Sequence, residues 1–428
     1  MPWPSRVRSG FVAALAFASG ATAYVAAGSV GLRGGGVPTV EDRVRRVASL
    51  GVAGATAVGV FHAAKTEAQS RLEGGGRVIE PGFAIAPSLE TVSGGPGSLV
   101  DFATVGREGA RFLGSSVPPE VVERVTGSPM VMPGVRVFVG YDSAGTPEER
   151  VALALAELRR TGAYDRSTLL IGAPAGSGYA NPTPVDILEI LLKGDTASVA
   201  VGYGLLPSFL SLDRVALAAR TQSLLLEGIA ADLAGRERRP RVLLYGESLG
   251  ARVQQAAIPE GSRDLDRLGV SAALWVGTPG GPESVAFHAA TAAESITIDR
   301  PEQIPDPLPQ PRPRVWFLEH DGDPVVRFEP TVAFRRPPWL AAQPRGRNVP
   351  EGMRWTPGIT WAQVMVDTLF ATNVKPGNFE SRGHDYRADL GGVVPAAYDL
   401  SVDQGTSERL EEALRALEIE RARRVVEA

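Results

Sequence analysis

At 428 residues the chain has room for two or three domains, or for one elaborated α/β domain with extensions. Apolar residues make up 44% and charged residues 21%, a balance that builds a large core and excludes a disordered chain. With 44 basic against 48 acidic residues there is no excess positive charge to neutralise phosphates, which argues against a nucleic-acid partner. Cysteine is absent, so disulfide scaffolds, thiolate metal sites, iron–sulfur clusters and cysteine nucleophiles are all excluded, while the redox compartment is left open.

The N-terminus carries no charge from Ser9 to Leu32, a run of 24 residues between Arg6 and Arg8 on one side and Arg33 on the other. At 1.5 Å per residue it is long enough to cross a hydrocarbon core. A second uncharged run, Val47 to Ala64, is marginal for a span. A cleaved signal peptide, a single anchor and the first arm of a helical hairpin all fit the first run. The second run, with Gly51, Gly54 and Gly59 to let helices approach, favours membrane attachment. Residues 1–70 are therefore expected to be a short hydrophobic helical anchor region at the cell membrane, with the side facing the remaining chain undetermined.

Residues 71–133 read as an irregular lead-in containing the turn-rich Ser93 to Ser98. From 134 to 428 the pattern is that of an α/β domain. Strands are expected at Arg136 to Tyr141, Thr168 to Pro174, Ser198 to Tyr203, Arg241 to Tyr245, Ala272 to Val276 and Arg314 to Leu318. Thr146-Pro147-Glu148-Glu149 predicts a capped helix start, with Val151, Leu155 and Leu158 on one face. A longer helix is expected from Asp213 to Ala234. Strands without internal alternation, separated by helices, imply a mostly parallel central sheet covered on both faces, with its chemistry at the carboxyl ends of the strands.

Gly246-Glu247-Ser248-Leu249-Gly250 is a G-x-S-x-G pentapeptide, common by chance in a chain with 49 glycines. Its setting adds weight: it follows the strand ending at Tyr245 and opens the helical stretch Ala251 to Ala257, the strand–turn–helix arrangement that exposes a nucleophilic serine. A serine hydroxyl needs a base, and there are four histidines, His62, His288, His320 and His384. His62 falls in the second uncharged run. His384, in the polar Ser381 to Tyr386 loop, is the expected base. Asp323, after the strand ending at Leu318, is the expected acid, with Asp321 and Glu319 as substitutes; Ser248, Asp323, His384 is then the chain order. The oxyanion donors are expected to be the backbone N–H of Leu249 and one from the loop near Ala175, at Gly176 or Ser177. No metal-ligand spacing and no phosphate-binding glycine loop occurs, so neither a metal nor another cofactor is expected.

At these residues the chain resembles the α/β-hydrolase superfamily, and more narrowly a bacterial, mainly actinobacterial, membrane-associated family in which a multi-spanning hydrophobic N-terminus precedes the catalytic domain. The resemblance runs from about residue 93 to 386. It includes Ser93 to Val100, Gly106-Arg107, Glu148-Glu149-Arg150, Arg159 to Ala163, Gly194 to Ala197, Leu206-Pro207-Ser208 and Gly246 to Gly250. Further matches are His320 to Val326, Arg335-Arg336-Pro337, Trp339-Leu340, Met353-Arg354-Trp355 and Gly383-His384. The hydrophobic N-terminus is shorter than the family's, and Asn378 to Arg382 replaces a more Gly/Pro-like run. The resemblance implies an α/β-hydrolase fold and a serine hydrolase without a defined substrate. Lid-like insertions are expected near 277–314 and 328–380, the second rich in aromatics, among them Phe328, Phe334, Trp339, Trp355, Trp361 and Phe370; these line a pocket or form the core of added helices. The expected activity is hydrolysis of an acyl ester, lipid or other small molecule, beside membrane lipid. An acyltransferase with the same three residues and a non-catalytic membrane scaffold are the alternatives.

Overall fold

The computed structural model describes residues 73–206, 214–371 and 379–426, and the chain divides into two compact units, 1–75 and 76–428. The two uncharged N-terminal runs and His62 lie outside the described residues. Among the described residues no helix is long and apolar enough to cross a membrane.

Among the described residues the second unit is built on seven parallel strands: β1 Val135–Val139, β2 Thr168–Ala173, β3 Thr196–Val201, β4 Arg241–Glu247, β5 Val270–Val276, β6 Ser295–Ile298 and β7 Val315–Leu318. Their order across the sheet is β1-β3-β2-β4-β5-β7-β6. Six correspond to the expected runs. The sixth in chain order, β6, falls inside the connection expected to be lid-like. It is four residues long, sits at the sheet edge, pairs among the described residues with β7 alone and is half-exposed, so it has no continuous apolar run to betray it.

The lead-in is not irregular throughout. It contains helices α1 Gly106–Leu113 and α2 Pro119–Thr126, and its turn region adds to the outer side of β1: Arg136 N–H donates to Thr91 O at 3.1 Å and Ser93 N–H to Arg136 O at 2.9 Å. This covers an edge that would otherwise present unpaired backbone. The Ser93 to Ser98 turn is anchored on the buried carboxylate of Glu157, which accepts from Ser93 Oγ (2.9 Å), Ser98 Oγ (3.0 Å) and Leu99 N–H (2.8 Å). Glu157 belongs to α3 Pro147–Arg160, whose start is the expected capping box. Thr146 Oγ1 accepts from Glu149 N–H at 3.2 Å, and Glu149 Oε2 accepts from Thr146 N–H at 3.0 Å.

The remaining main helices are α4 Thr183–Leu191, α5 Val215–Leu233, α6 Leu249–Ala257, α7 Pro282–Thr291, α8 Ile359–Phe370, α9 Leu390–Ala397 and α10 Gln404–Val426. Helix α5 packs against both α3 and α6 on one face of the sheet, and α4, α9 and α10 pack together on the other. The neighbouring strands β2 and β4 are thus followed by helices on opposite faces, α4 and α6. A crevice at the carboxyl ends of such a strand pair is where this class of sheet binds ligands. Between β7 and α9 the stretch from residue 328 to 370 is made of short turns and single-turn helices ending in α8; in it Phe328 packs near Trp361 with ring centroids 6.0 Å apart and Trp355 Nε1 donates to Val332 O.

Candidate active site

Ser248 stands between β4 and α6 with φ of 56° and ψ of −126°, a conformation that L-residues rarely adopt and that a surrounding structure must enforce. The two glycines of the pentapeptide explain how it is enforced. A Cβ on Gly246 would lie 2.7 Å from Ala251 Cα, and one on Gly250 would lie 2.1 Å from Ala173 O. Only glycine lets the strand turn this sharply into a helix packed against β2. Ser248 N–H donates to Val276 O at 2.8 Å, fixing the turn to the carboxyl end of β5.

The loop that carries His384 arrives at the same strand end. Gly277, next after β5, has φ of 57°, and a Cβ there would meet Tyr386 Cε2 at 2.7 Å and His384 Cε1 at 3.0 Å. The imidazole therefore rests on the backbone one residue beyond the carbonyl that holds Ser248. His384 Nδ1 is 2.6 Å from Asp323 Oδ2. Its Nε2 is buried and, among the described residues, Ser248 included, has no hydrogen-bond partner. Because Nδ1–H is donated to the carboxylate, Nε2 is the nitrogen left to exchange a proton with a substrate or nucleophile.

Asp323 is fully buried and uses both oxygens. Oδ1 accepts from Val325 N–H at 2.8 Å, capping the one-turn helix Pro324–Arg327, and Oδ2 accepts from His384 and from Tyr386 OH, both at 2.6 Å. The aspartate is thus at once a turn residue before proline and the partner of His384. Burial alone would push the Asp323 carboxyl up, but His384, the Tyr386 hydroxyl and the Val325 amide outweigh it and hold it below its ordinary range. Burial likewise pulls the His384 imidazole down, and the charge and hydrogen bond of Asp323 more than reverse this, so that its pKa lies above 6.5. The two substitutes are engaged elsewhere: Asp321 pairs with Arg327 at 2.6 Å, and Glu319 lies 3.3 Å from His288 Nε2.

His288 is on α7, its ring stacked on Phe317 and its Nδ1 bound to Ser284 O. His320 is fully buried and holds the His384 loop from beneath. Its Nδ1–H donates to Gly383 O at 2.7 Å, its Nε2 is 2.7 Å from Asp389 Oδ2 and also meets Arg347, and its ring stacks on Tyr386. Tyr386 in turn accepts from His320 N–H. Tyr386, Asp389, Arg347 and Gly277 were not legible as site residues. Tyr386 and Asp389 carry only nearness to His384 as a sequence signal, Gly277 only nearness to a strand end, and Arg347 neither.

The loop after β2 runs alongside. Ala175 N–H donates to Tyr179 O and Gly178 N–H to Ala175 O, closing a tight turn, and Gly176 O accepts from Leu206 N–H. Gly176 and Ser177 lie at the tip of that turn, and Leu249 opens α6, where first-turn N–H groups have no intrahelical acceptor. Among the described residues no cluster of three or more His, Asp or Glu side chains is arranged to hold a metal ion.

A family model described as the alpha/beta-hydrolase family matches residues 135–297 and 283–410. The chain belongs to the alpha/beta-hydrolase family. The matched residues run from β1 into α10 and so contain the whole sheet, Ser248, Asp323 and His384. No curated protein and no solved structure matches the chain.

Proposed function

We propose that this alpha/beta-hydrolase is a membrane-associated serine hydrolase that cleaves carboxylic esters through an acyl-enzyme. The observation that carries this reading is the state of His384: Nδ1 is committed to a buried carboxylate, Nε2 is buried and without a partner among the described residues, and the ring lies over the same strand end that fixes the strained Ser248. Ser248 Oγ attacks the acyl carbonyl while His384 Nε2 takes its proton, and Asp323 orients the ring and stabilises the imidazolium. The carbonyl oxygen, now negative, accepts from the N–H of Leu249 and from that of Gly176 or Ser177. Collapse expels the alcohol, which leaves with the proton from His384. Water, deprotonated by the same nitrogen, then releases the acid and restores the serine. The uncharged runs Ser9 to Leu32 and Val47 to Ala64 support attachment to a membrane.

The purified chain is expected to release acid and alcohol from p-nitrophenyl esters in equal amounts; absence of any ester turnover would remove the proposal. Since only neutral His384 can accept the proton and its pKa is raised above 6.5, kcat/KM should climb with pH through an apparent pKa above that value. A profile already flat at pH 6, about half a unit below the ordinary histidine value, would contradict the assignment. Gly277→Ala pushes a methyl group against His384 and Tyr386, and a displacement of about 1 Å costs about 10²-fold in rate. The expected result is that loss in kcat with an unchanged far-ultraviolet circular dichroism spectrum.

A further inference from the structure

We infer that Arg347, in the stretch between β7 and α9, is a positioning residue for the proposed base: it clamps both ends of the loop that carries His384. This rests on the serine hydrolase reading above. The loop is held at two points, one on each side of His384. Before it, Gly383 O accepts from His320 Nδ1–H at 2.7 Å; after it, Asp389, which immediately precedes α9, puts its carboxylate 2.7 Å from His320 Nε2. Between these points the chain closes a turn on itself, with Arg382 N–H donating to Asp385 O at 3.0 Å and Asp385 N–H to Arg382 O at 3.1 Å. The guanidinium of Arg347 meets both supports. Nη1 donates to Asp389 Oδ1 at 3.3 Å, Nη2 donates to Asp389 Oδ2, and Nη2 lies 2.5 Å from His320 Nε2. Nη2 also donates to Asp299 O at 3.1 Å, just past β6, which ties the clamp to the sheet. His320 and Asp389 are both buried. A carboxylate so placed needs a counter-charge, and a planar guanidinium can meet its two oxygens while reaching the neighbouring acceptor.

The backbone around Arg347 is fitted to the place where it sits. A Cβ on Gly346 would lie 2.0 Å from Asp321 Oδ2, and one on Gly322 would lie 2.7 Å from Arg347 O and 2.6 Å from the carbonyl carbon of Asn348. Glycine at both positions lets residues 346–348 lie directly on the turn that leads into Asp323. Asn348 then has φ of 64°, a left-handed conformation that asparagine tolerates better than most side chains. Asp321 N–H donates to Asp299 Oδ1 at 2.9 Å, so the residue whose carbonyl holds Arg347 also holds the Asp323 turn. One short segment of the stretch expected to be lid-like therefore touches the supports of both the acid and the base. Among the described residues the bonds of Arg347 go to these supports and not to Ser248 or His384, so it acts on the rate through where the imidazole is held.

The test is kcat and KM of the full chain in detergent on p-nitrophenyl acetate for wild type, Arg347→Ala and Arg347→Lys, with the denaturant midpoint of each. A base displaced by about 1 Å costs about 10²-fold in rate. Arg347→Ala is expected to lose about that much in kcat with KM little changed, since the small substrate meets none of the altered groups. Guanidinium chloride at a millimolar, non-denaturing concentration should restore part of the lost kcat, where the same concentration of sodium chloride should not; a loss caused by misfolding would not respond in this way. Arg347→Lys keeps a positive charge beside Asp389 but cannot span both its oxygens and Asp299 O, so its kcat should fall between the other two. The lysine variant supplies the answer if the alanine variant fails to fold. A wild-type kcat in either variant, or a loss in folded Arg347→Ala that guanidinium leaves untouched, overturns the inference while leaving the hydrolase reading intact. No turnover of any ester by wild type overturns both.

Discussion

Changing Asp323 to Asn is expected to lower kcat/KM for an activated ester by about 10⁴-fold, and changing Ser248 to Ala by at least as much. The asparagine keeps the size of the side chain and can still accept from Val325 N–H through its carbonyl oxygen. Toward His384, however, the fully buried group loses the negative charge that holds Nδ1–H and stabilises the imidazolium. An amide NH₂ facing the ring favours the opposite tautomer, with the proton on the nitrogen that must serve as base. The raised pKa of His384 depends on Asp323, so the acid limb of the pH profile should move down in the same variant. A modest loss with an unmoved limb would mean that Asp323 acts only as the cap of Pro324–Arg327.

The second large effect concerns stability. The guanidinium of Arg136, on β1, is wholly buried and pairs with Glu189 at 2.6 and 2.8 Å, with Asp186 at 2.9 Å and with Phe112 O at 3.0 Å. The other oxygen of Asp186 takes Arg421 of α10 at 2.7 Å, and Glu418 on the same helix reaches Arg387, which also binds Asp385 beside His384. The cluster joins β1, α4, α10 and the His384 loop. Arg136→Met fits the volume but strips Glu189 and half of Asp186 of their counter-charge in a dry site, which costs about 3–5 kcal/mol. Denaturant unfolding should show a lowered midpoint. Arg136→Met combined with Glu189→Gln should recover part of the loss, since the stranded charge, more than the missing attraction, is what destabilises.

This cluster also marks where sequence reading stops. The runs RVFVGY, TLLIGAP and RVLLY announced strands because a sheet covered on both faces needs continuous apolar residues, and each lies in the sheet within a residue or two. Thr146 to Glu149 announced a helix start because its bonds are local. Arg136 inside a buried strand goes against that pattern, and its explanation comes from α4, some fifty residues further on. The edge strand β6 was hidden because pairing on one side leaves no hydrophobic signature. Ser248, Asp323 and His384 could be picked out by residue type and order, and the structure brings Asp323 and His384 into contact. The roles of Tyr386 and His320 could not, because they are defined by what packs against them.

The most direct test of the account is labelling with a fluorophosphonate, which reacts only with an activated serine. Full-length chain in detergent should be modified at a single residue, identified by mass spectrometry as Ser248. The Ser248→Ala variant should be unlabelled, and labelling of His384→Ala should be slowed by orders of magnitude. Folded wild type that stays unlabelled, or a label found on another serine, would contradict the account.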